Sequence, residues 1–148
     1  MSHHVSAFDT TVQTTHVWLN DLLELTGWQD AHRAYLALRA VLHALRDRLS
    51  VEEAAALGAQ LPMLVRGFYY EGWHPHGKPL RERKKEEFLA HVRDAFKNDH
   101  DPDPEPVARA VFQLLANHVT RGEVSKVKHM LPEEIRSLWP EEVHVLPL

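Results

Sequence analysis

The second half of this chain repeats the first at a constant offset of 70 residues and without a gap. Between residues 39 and 69, eight positions are identical to those 70 residues later, where unrelated chains of average composition would share about two. The identical pairs are Arg39/Arg109, Ala40/Ala110, Val41/Val111, Leu45/Leu115, Glu53/Glu123, Leu61/Leu131, Pro62/Pro132 and Arg66/Arg136. The repeat therefore constrains the architecture, although most matched residues are of the types found in cores and helix caps.

The periodicity of both copies is helical. Residues 31–49 place apolar side chains three and four positions apart on one stripe, and residues 106–119 do so in the same register. We predict that these two segments are the central helices and that they pack against each other. Ser50 and Thr120 follow them, each with a glutamate three residues later, which is the capping-box pattern of a helix start.

Further helices are predicted on both sides of the central ones. The third helices run over about 51–61 and 121–131 and end at Pro62 and Pro132, because proline interrupts the hydrogen-bond ladder. A short fourth helix is expected after each proline. The first helices cover about 12–25 and 88–96, whereas the proline-rich segment 101–106 is expected to run extended.

The expected architecture is an all-α single domain over residues 1–148. One apolar stripe per helix pair cannot be buried by one copy alone, so we predict a helical bundle of two similar repeats. Each repeat has three to four helices, and a pseudo-two-fold axis relates the two around one shared core. The boundaries are about 8–73 for repeat one, 74–79 for a linker, 80–140 for repeat two and 141–148 for a tail.

Composition limits the function classes. The 148 residues suffice for one domain, which would bury roughly two-thirds of its unfolded surface. The lack of cysteine excludes disulfides, thiolate metal sites and cysteine nucleophiles, and fits a reducing interior, so a cytoplasmic location is expected. No secretory signal and no apolar run near the roughly 20 residues of a membrane helix is present. A net charge of −4 argues against a nucleic-acid partner.

The segment between the copies, residues 66–79 (the joint segment), contains three glycines, two prolines, four large aromatics and two histidines. Aromatics at this density need something to bury them. Two interpretations are open, and both can hold together. The aromatics fold back as a lid over the joint between the copies, or some of them form a binding face, since Tyr, Trp and Arg anchor interfaces. The candidate ligand- or partner-binding residues are Arg66, Tyr69, Tyr70, Glu71, Trp73, His74 and His76.

Metal and catalytic signatures are weak. His74 and His76 stand one residue apart near Glu71, but no third or fourth ligand clearly converges on them. The face shared by Glu87, His91 and Asp94 points away from the apolar stripe and predicts solvated surface. No nucleophile elbow, phosphate-binding loop or di-iron motif occurs, so we predict no catalytic residue, no metal ligand and no cofactor.

Two charged features of the sequence, the run 81–87 and the pair Arg66 and Arg136, fit structural roles. The run 81–87 alternates basic and acidic residues at helical spacing and predicts a solvated helix opening with ion pairs. Arg66 and Arg136 occupy equivalent positions after the two prolines. Each is expected to bind a carboxylate or the carbonyls at a helix C-terminus.

Several stretches of the chain carry a family resemblance. Residues 59–73 (AQLPMLVRGFYYEGW), the Lys84, Glu87, Phe88 and Leu89 pattern, the Gly122-Glu123 step and residues 131–140 (LPEEIRSLWP) closely resemble domain-of-unknown-function family 2267. The resemblance spans about residues 8–140. It implies a small, cytosolic, all-helical bacterial protein without an assigned activity, and it supplies no catalytic residue.

Three hypotheses for function remain open. The first is a non-enzymatic interaction module that self-associates as a homo-oligomer through the joint segment. The second is a small-molecule or cofactor carrier with a pocket between the copies, lined by Trp18, Tyr35, Tyr69, Trp73 and His74. The third is a metal-dependent enzyme that uses histidine and carboxylate ligands.

Overall fold

The computed structural model describes residues 3–96 and 102–141, and every regular element within these ranges is an α-helix. The helices are α1 (Ser6–Thr26), α2 (Ala31–Arg46), α3 (Val51–Ala59), α4 (Met63–Tyr70), α5 (Lys85–Asp94), α6 (Pro104–His118), α7 (Arg121–Met130) and α8 (Glu133–Arg136). The all-α prediction is therefore confirmed for the described chain. Of the expected tail 141–148, only residue 141 falls within the described residues.

The core forms around α2 and α6, which pack against each other as predicted. Their apolar stripes are buried, with Leu45 of α2 and Leu115 of α6 fully inaccessible to solvent. The first helix of each half crosses to the other half, since α1 packs on α6 and α5 packs on α2. Helices α3 and α7 also lie against each other.

The two predicted capping boxes form only in part. Ser50 Oγ accepts the Glu53 amide at 3.1 Å, and Thr120 Oγ1 accepts the Glu123 amide at 3.3 Å. The glutamate halves of both boxes are missing because Glu53 and Glu123 are buried between α3 and α7, where they interact with each other. The hydroxyl caps were thus predicted correctly and the roles of the two glutamates were not.

Part of the proline-rich segment is helical, which corrects the expectation that it runs extended. Helix α6 begins at Pro104, and Asp103 caps it by accepting the Glu105 amide at 3.2 Å. Proline is compatible with a first helical turn, because the amides of that turn have no acceptor within the helix. Residue 101 lies outside the described residues.

The prediction for residues 81–87 is also wrong in part. Helix α5 begins only at Lys85, and the residues before it are not helical. Glu82 accepts from Arg48 Nη2 at 2.9 Å and interacts with His91 Nε2 at 3.0 Å. A buried guanidinium such as that of Arg48 needs a carboxylate partner, and this contact holds the segment against the end of α2.

The arginine prediction is confirmed in both halves. Arg66 donates to the carbonyls of Gly58 at 2.8 Å and Leu61 at 2.9 Å, at the end of α3. Arg136 donates to the carbonyls of Lys128 at 3.0 Å and Leu131 at 2.8 Å, at the end of α7. Each arginine therefore fixes the chain reversal at its proline.

Among the described residues, no helix is both long and apolar enough to cross a membrane.

Candidate functional site

Contacts within the chain account for the four aromatic residues of the joint segment. Phe68 and Tyr69 belong to α4 and are buried, and the Tyr69 hydroxyl donates to the Ala54 carbonyl at 2.7 Å. Burial raises the pKa of the Tyr69 hydroxyl, which therefore stays protonated. Tyr70 and Trp73 pack against the core with their ring centroids 5.3 Å apart.

The carbonyls at the end of α4 are bound by two residues of α2 that sequence reasoning missed. Arg46 Nη1 donates to the carbonyls of Tyr69 at 2.7 Å and Glu71 at 2.9 Å. His43 Nε2 donates to the Phe68 carbonyl at 2.7 Å. Burial lowers the pKa of His43, which favours the neutral ring. The signal in the sequence was the basic pair His43 and Arg46 in the last turn of α2.

An open cleft of about 470 Å³ lies between α1, α2 and α4. We call it the α1–α2–α4 cleft. Its lining is Val12, Thr15, His16, Leu19, Tyr35, Leu64, Gly67, Phe68 and Glu71. The Tyr35 and Phe68 rings meet edge to face with centroids 5.2 Å apart. At the rim, the Glu71 carboxylate lies 3.5 Å from Arg39 Nε.

The apolar surface of this cleft continues onto the first turns of α1. Val12 lines the cleft and is 44% exposed, and Phe8, one turn earlier on the same helical face, is 59% exposed. Between residues 6 and 14, α1 has no buried side chain. We call this part of α1 the overhang. Met63 and Leu64 at the start of α4 are exposed beside it, and the Leu64 amide donates to Thr11 Oγ1 at 2.9 Å.

Seventy residues later, charged side chains occupy the corresponding positions. Thr15, Tyr35 and Leu64 of the cleft correspond to Lys85, Glu105 and Glu134. Lys85 Nζ lies 3.0 Å from Glu105 Oε1, and the Lys85 amide donates to Glu134 Oε2 at 2.8 Å. Hydrogen bonds from Lys85 and Arg109 lower the pKa of Glu105. In the second half, ion pairs therefore occupy the positions that correspond to the cleft. The apolar cleft of the first half results from its own side chains and not from the arrangement of the helices alone.

The seven predicted site residues do not form one cluster. Glu71 lines the α1–α2–α4 cleft, whereas Arg66 binds the end of α3. Tyr69 lies in the core, and Tyr70 and Trp73 pack on its edge. His74 and His76 are exposed in the turn after α4.

The residues expected to line a pocket between the copies are also dispersed. Tyr35 lines the cleft, but Trp18 stacks on His118 with ring centroids 4.7 Å apart, in the contact between α1 and α6. The Tyr69 hydroxyl is bound to α3 through Ala54. The cleft lies instead within the first half of the chain.

Metal ligands do not converge in the described ranges. Across residues 3–96 and 102–141, no group of three or more His, Asp or Glu side chains could hold a metal ion. His91 and Asp94 are exposed, as the sequence predicted.

A buried carboxyl pair is the second unusual group, and sequence reasoning missed it. Glu53 of α3 and Glu123 of α7 are 8% and 6% exposed, and their carboxyl groups act on each other. Burial, together with the neighbouring Glu53 carboxyl, raises the pKa of Glu123 to about 7. The sequence did show that glutamate occurs at both positions, 70 residues apart. This identity was interpreted as part of two capping boxes.

Comparison with known proteins gives a family without an assigned activity. A family model described as "Uncharacterized conserved protein (DUF2267)" matches residues 15–138. A search of curated proteins found no match.

Proposed function

This chain belongs to the uncharacterised DUF2267 family, and on that premise we propose that it is a non-enzymatic interaction module that pairs with a second copy of itself. The contact surface consists of the α1–α2–α4 cleft and the overhang of α1. The overhang is the observation that carries this proposal.

The overhang needs a partner for two physical reasons. Its sequence, SAFDTTVQT, is rich in threonine and other residues of modest helix propensity. A helical segment of nine residues gains most of its stability from packing. Residues 6–14, however, bury no side chain. Phe8 and Val12 also extend the apolar surface of the cleft, and contiguous exposed apolar surface marks an interaction site.

A second copy fits this surface because the same face carries both a ridge and a groove. Phe8 and Val12 form the ridge, and the cleft beside them is the groove. Two copies related by a two-fold axis would place each ridge on the other copy's groove, which is an isologous contact that closes as a dimer. The charged side chains at the rim, Glu71 and Arg39, remain at the polar edge of such an interface.

In this proposal the joint segment is no longer the main contact surface between copies. Self-association through residues 69–76 was expected from an excess of aromatic side chains, and those side chains have partners within the chain. In the present proposal Glu71 contributes directly as a cleft residue. His74 and His76 follow it on the exposed side.

We further propose that the chain is one domain of two repeats related by a pseudo-two-fold axis. Contacts that correspond after a shift of 70 residues support this. Gln60 Nε2 donates to Thr120 Oγ1 at 3.1 Å, and the corresponding pair is Met130 and Ser50, 3.5 Å apart. Likewise, His118 stacks on Trp18, and at the corresponding positions the Arg48 guanidinium lies 5.0 Å above the Phe88 ring.

A second candidate function is favoured by the size of the cleft. Its volume of about 470 Å³ falls within the roughly 300–1,000 Å³ of small-molecule sites. Its lining surface is mostly apolar, and Thr15, His16, Tyr35 and Glu71 carry its polar groups. A small apolar molecule that carries one polar group would match this lining.

The test is sedimentation velocity over a wide concentration range on the wild type and three variants. Phe8→Glu and Leu64→Glu place a charge on the ridge and in the groove, and both should remain monomeric where the wild type forms dimers. Val17→Glu is the matched control, because Val17 is a 52% exposed apolar residue of the same helix that does not line the cleft.

Four outcomes bear on the two candidates. A wild type that stays monomeric at the highest concentration contradicts self-association, as does equal loss of dimer in the control. A monomer that retains a small molecule in native mass spectrometry supports the second candidate instead. Loss of that molecule in Leu64→Glu would assign it to the cleft.

A further inference from the structure

The contact between α3 and α7 is built on the buried carboxyl pair Glu53 and Glu123. Each glutamate lies at the N3 position of its helix, three residues after the hydroxyl cap. The two carboxyl groups lie close enough for the charge of one to act on the other. One buried oxygen of each, Glu53 Oε1 and Glu123 Oε2, has no hydrogen-bond partner among the described residues.

Such a pair requires a proton. The unpartnered oxygens can pair with each other only when one carboxyl group is protonated, because two carboxylates only accept. Two adjacent buried carboxylates would repel each other, and neither would have water to solvate its charge. The geometry is therefore stable with one shared proton and unfavourable without it.

Polar contacts on the flanks of the pair hold α3 and α7 together independently of that proton. Gln60 exchanges two hydrogen bonds with Thr120, since its Nε2 donates to Oγ1 at 3.1 Å and its Oε1 accepts the Thr120 amide at 3.0 Å. Ser50 Oγ lies 3.5 Å from Met130 Sδ on the opposite flank. The two helices would therefore stay adjacent when the pair loses its proton, with a weaker contact in the middle.

The surrounding charged groups do not neutralise the pair. On α7, Lys126 lowers the pKa of Glu123, but this effect is smaller than the opposite effects of burial and of Glu53. On α4, the Tyr69 phenol is in the field of both carboxyls and is protonated, and Arg46 of α2 acts on Tyr69. The charged residues of α6 have other partners, namely Glu105 with Lys85 and Arg109, Arg109 with the Ser137 carbonyl, and His118 with Asp21.

We propose that Glu53 and Glu123 make the α3–α7 contact a proton-sensitive switch. One shared proton joins the two helices in the middle of their contact, and its loss loosens that contact without unfolding the rest of the bundle. The switch does not depend on the self-association proposed above, because both glutamates lie inside one chain.

The pH window follows from linkage. The pKa of Glu123 is raised from its ordinary value of 4.5 to about 7 in the folded protein. A group whose pKa is raised by folding stabilises the fold below its unfolded pKa, and that contribution is lost as pH rises through the folded pKa. The contact should therefore weaken between about pH 4.5 and pH 7 and change little above that.

The test is hydrogen–deuterium exchange by mass spectrometry between pH 5 and pH 8, corrected for intrinsic exchange rates. Protection of α3 and α7 should fall on the order of tenfold or more over this range in the wild type. Protection of α2 and α6 should change less, and these helices serve as the internal reference. In Glu123→Gln the amide can donate to Glu53 at every pH, so the decrease should disappear.

The matched control is Glu52→Gln, which removes an exposed carboxylate from the same helix and should keep the wild-type profile. The double variant Glu53→Gln, Glu123→Gln should also be independent of pH in α3 and α7. Carbon-13 NMR titration of the wild-type carboxyl groups gives a readout that needs no variant. Ordinary titration of both glutamates, or a wild-type slope retained in Glu123→Gln, would overturn the proposal.

Discussion

Gly58 lies in the last turn of α3, directly against the rings of two tyrosines. A Cβ at this position would collide with the Tyr70 hydroxyl and stand 2.8 Å from Tyr70 Cζ and 3.1 Å from Tyr69 Cε2. The Tyr70 ring has little room to withdraw, because it packs between Tyr69 and Trp73 with centroids 4.9 Å and 5.3 Å away. Glycine is required here by close packing and not by backbone conformation.

Gly58→Ala should therefore destabilise the protein, although alanine is the better helix former. We expect a loss of about 1–3 kcal/mol in the free energy of unfolding, as for other overpacked sites. Gly122→Ala is the control, since Gly122 is also helical and has open space around its Cα. Gly122→Ala should raise the free energy of unfolding by up to about 1 kcal/mol, because alanine is the better helix former. Urea denaturation of both variants measures the difference, and a gain in both would show that Tyr70 moves aside freely.

Residue roles could be predicted from the sequence where local geometry decides them. The hydroxyl caps at Ser50 and Thr120 and the carbonyl contacts of Arg66 and Arg136 depend on residues at most eight positions away. Glu53 was assigned to a local capping box, and only the packing of α3 on α7 turns it toward Glu123. Tertiary contacts of this kind are not encoded in short-range spacing.

At the scale of elements, apolar periodicity predicted the helices well and their ends less well. Helix α2 ends at Arg46, three residues before its stripe does, because the chain tightens there into turns in which the Arg48 and Leu49 amides donate to carbonyls three residues earlier. The short helix expected after Pro62 is confirmed as α4, and it extends through residues 66–70, the first part of the joint segment. The glycine and proline residues of that segment lie mostly after the helix. The overhang of α1 was not expected, since its first turns carry too few apolar residues for a stripe.

The N-caps of α3 and α7 allow a prediction at this scale. Ser50→Ala and Thr120→Ala should each reduce the free energy of unfolding by about 1 kcal/mol, because each removes the acceptor of one helix-start amide. Thr120 also accepts from Gln60 across the contact between α3 and α7, so its loss should be the larger one.

Ser50→Thr is the control for the first helix start, because it keeps the hydroxyl and should lie close to the wild type. Chemical denaturation at one fixed pH provides the comparison. A loss confined to one of the two alanine variants would mean that the other hydroxyl contributes little to the start of its helix.

At the scale of the whole molecule, the described core is shared between the two halves of the chain. The first helix of each half packs on the second helix of the other, and α2 and α6 meet in the middle. This arrangement was predictable because each half has an apolar stripe that it cannot bury alone. The α1–α2–α4 cleft was not predictable, because it arises from a difference between the halves. The repeat is visible at positions where the halves agree, whereas Thr15, Tyr35 and Leu64 are positions where they differ.

A shared core predicts one cooperative unfolding transition. Leu45→Ala and Leu115→Ala should each lower the free energy of unfolding by about 2–5 kcal/mol, as truncation of fully buried leucines does. Each should shift the whole calorimetric peak to lower temperature, although the substitutions lie in different halves. Leu25→Ala, at a 40% exposed position of α1, should leave the peak nearly unchanged. Two separate peaks, with one moved by each core variant, would show that the halves unfold independently.

The contact between Glu53 and Glu123 also affects which substitutions related sequences can acquire at these two positions. If two identical halves came from separate chains, any substitution at this contact would occur on both sides at once. In one chain the two positions are encoded separately, so one can become glutamine while the other stays glutamate. A mixed acid and amide pair keeps a hydrogen bond without a shared proton. A single inherited change would therefore be enough to separate sequences with a proton-dependent contact from sequences without one.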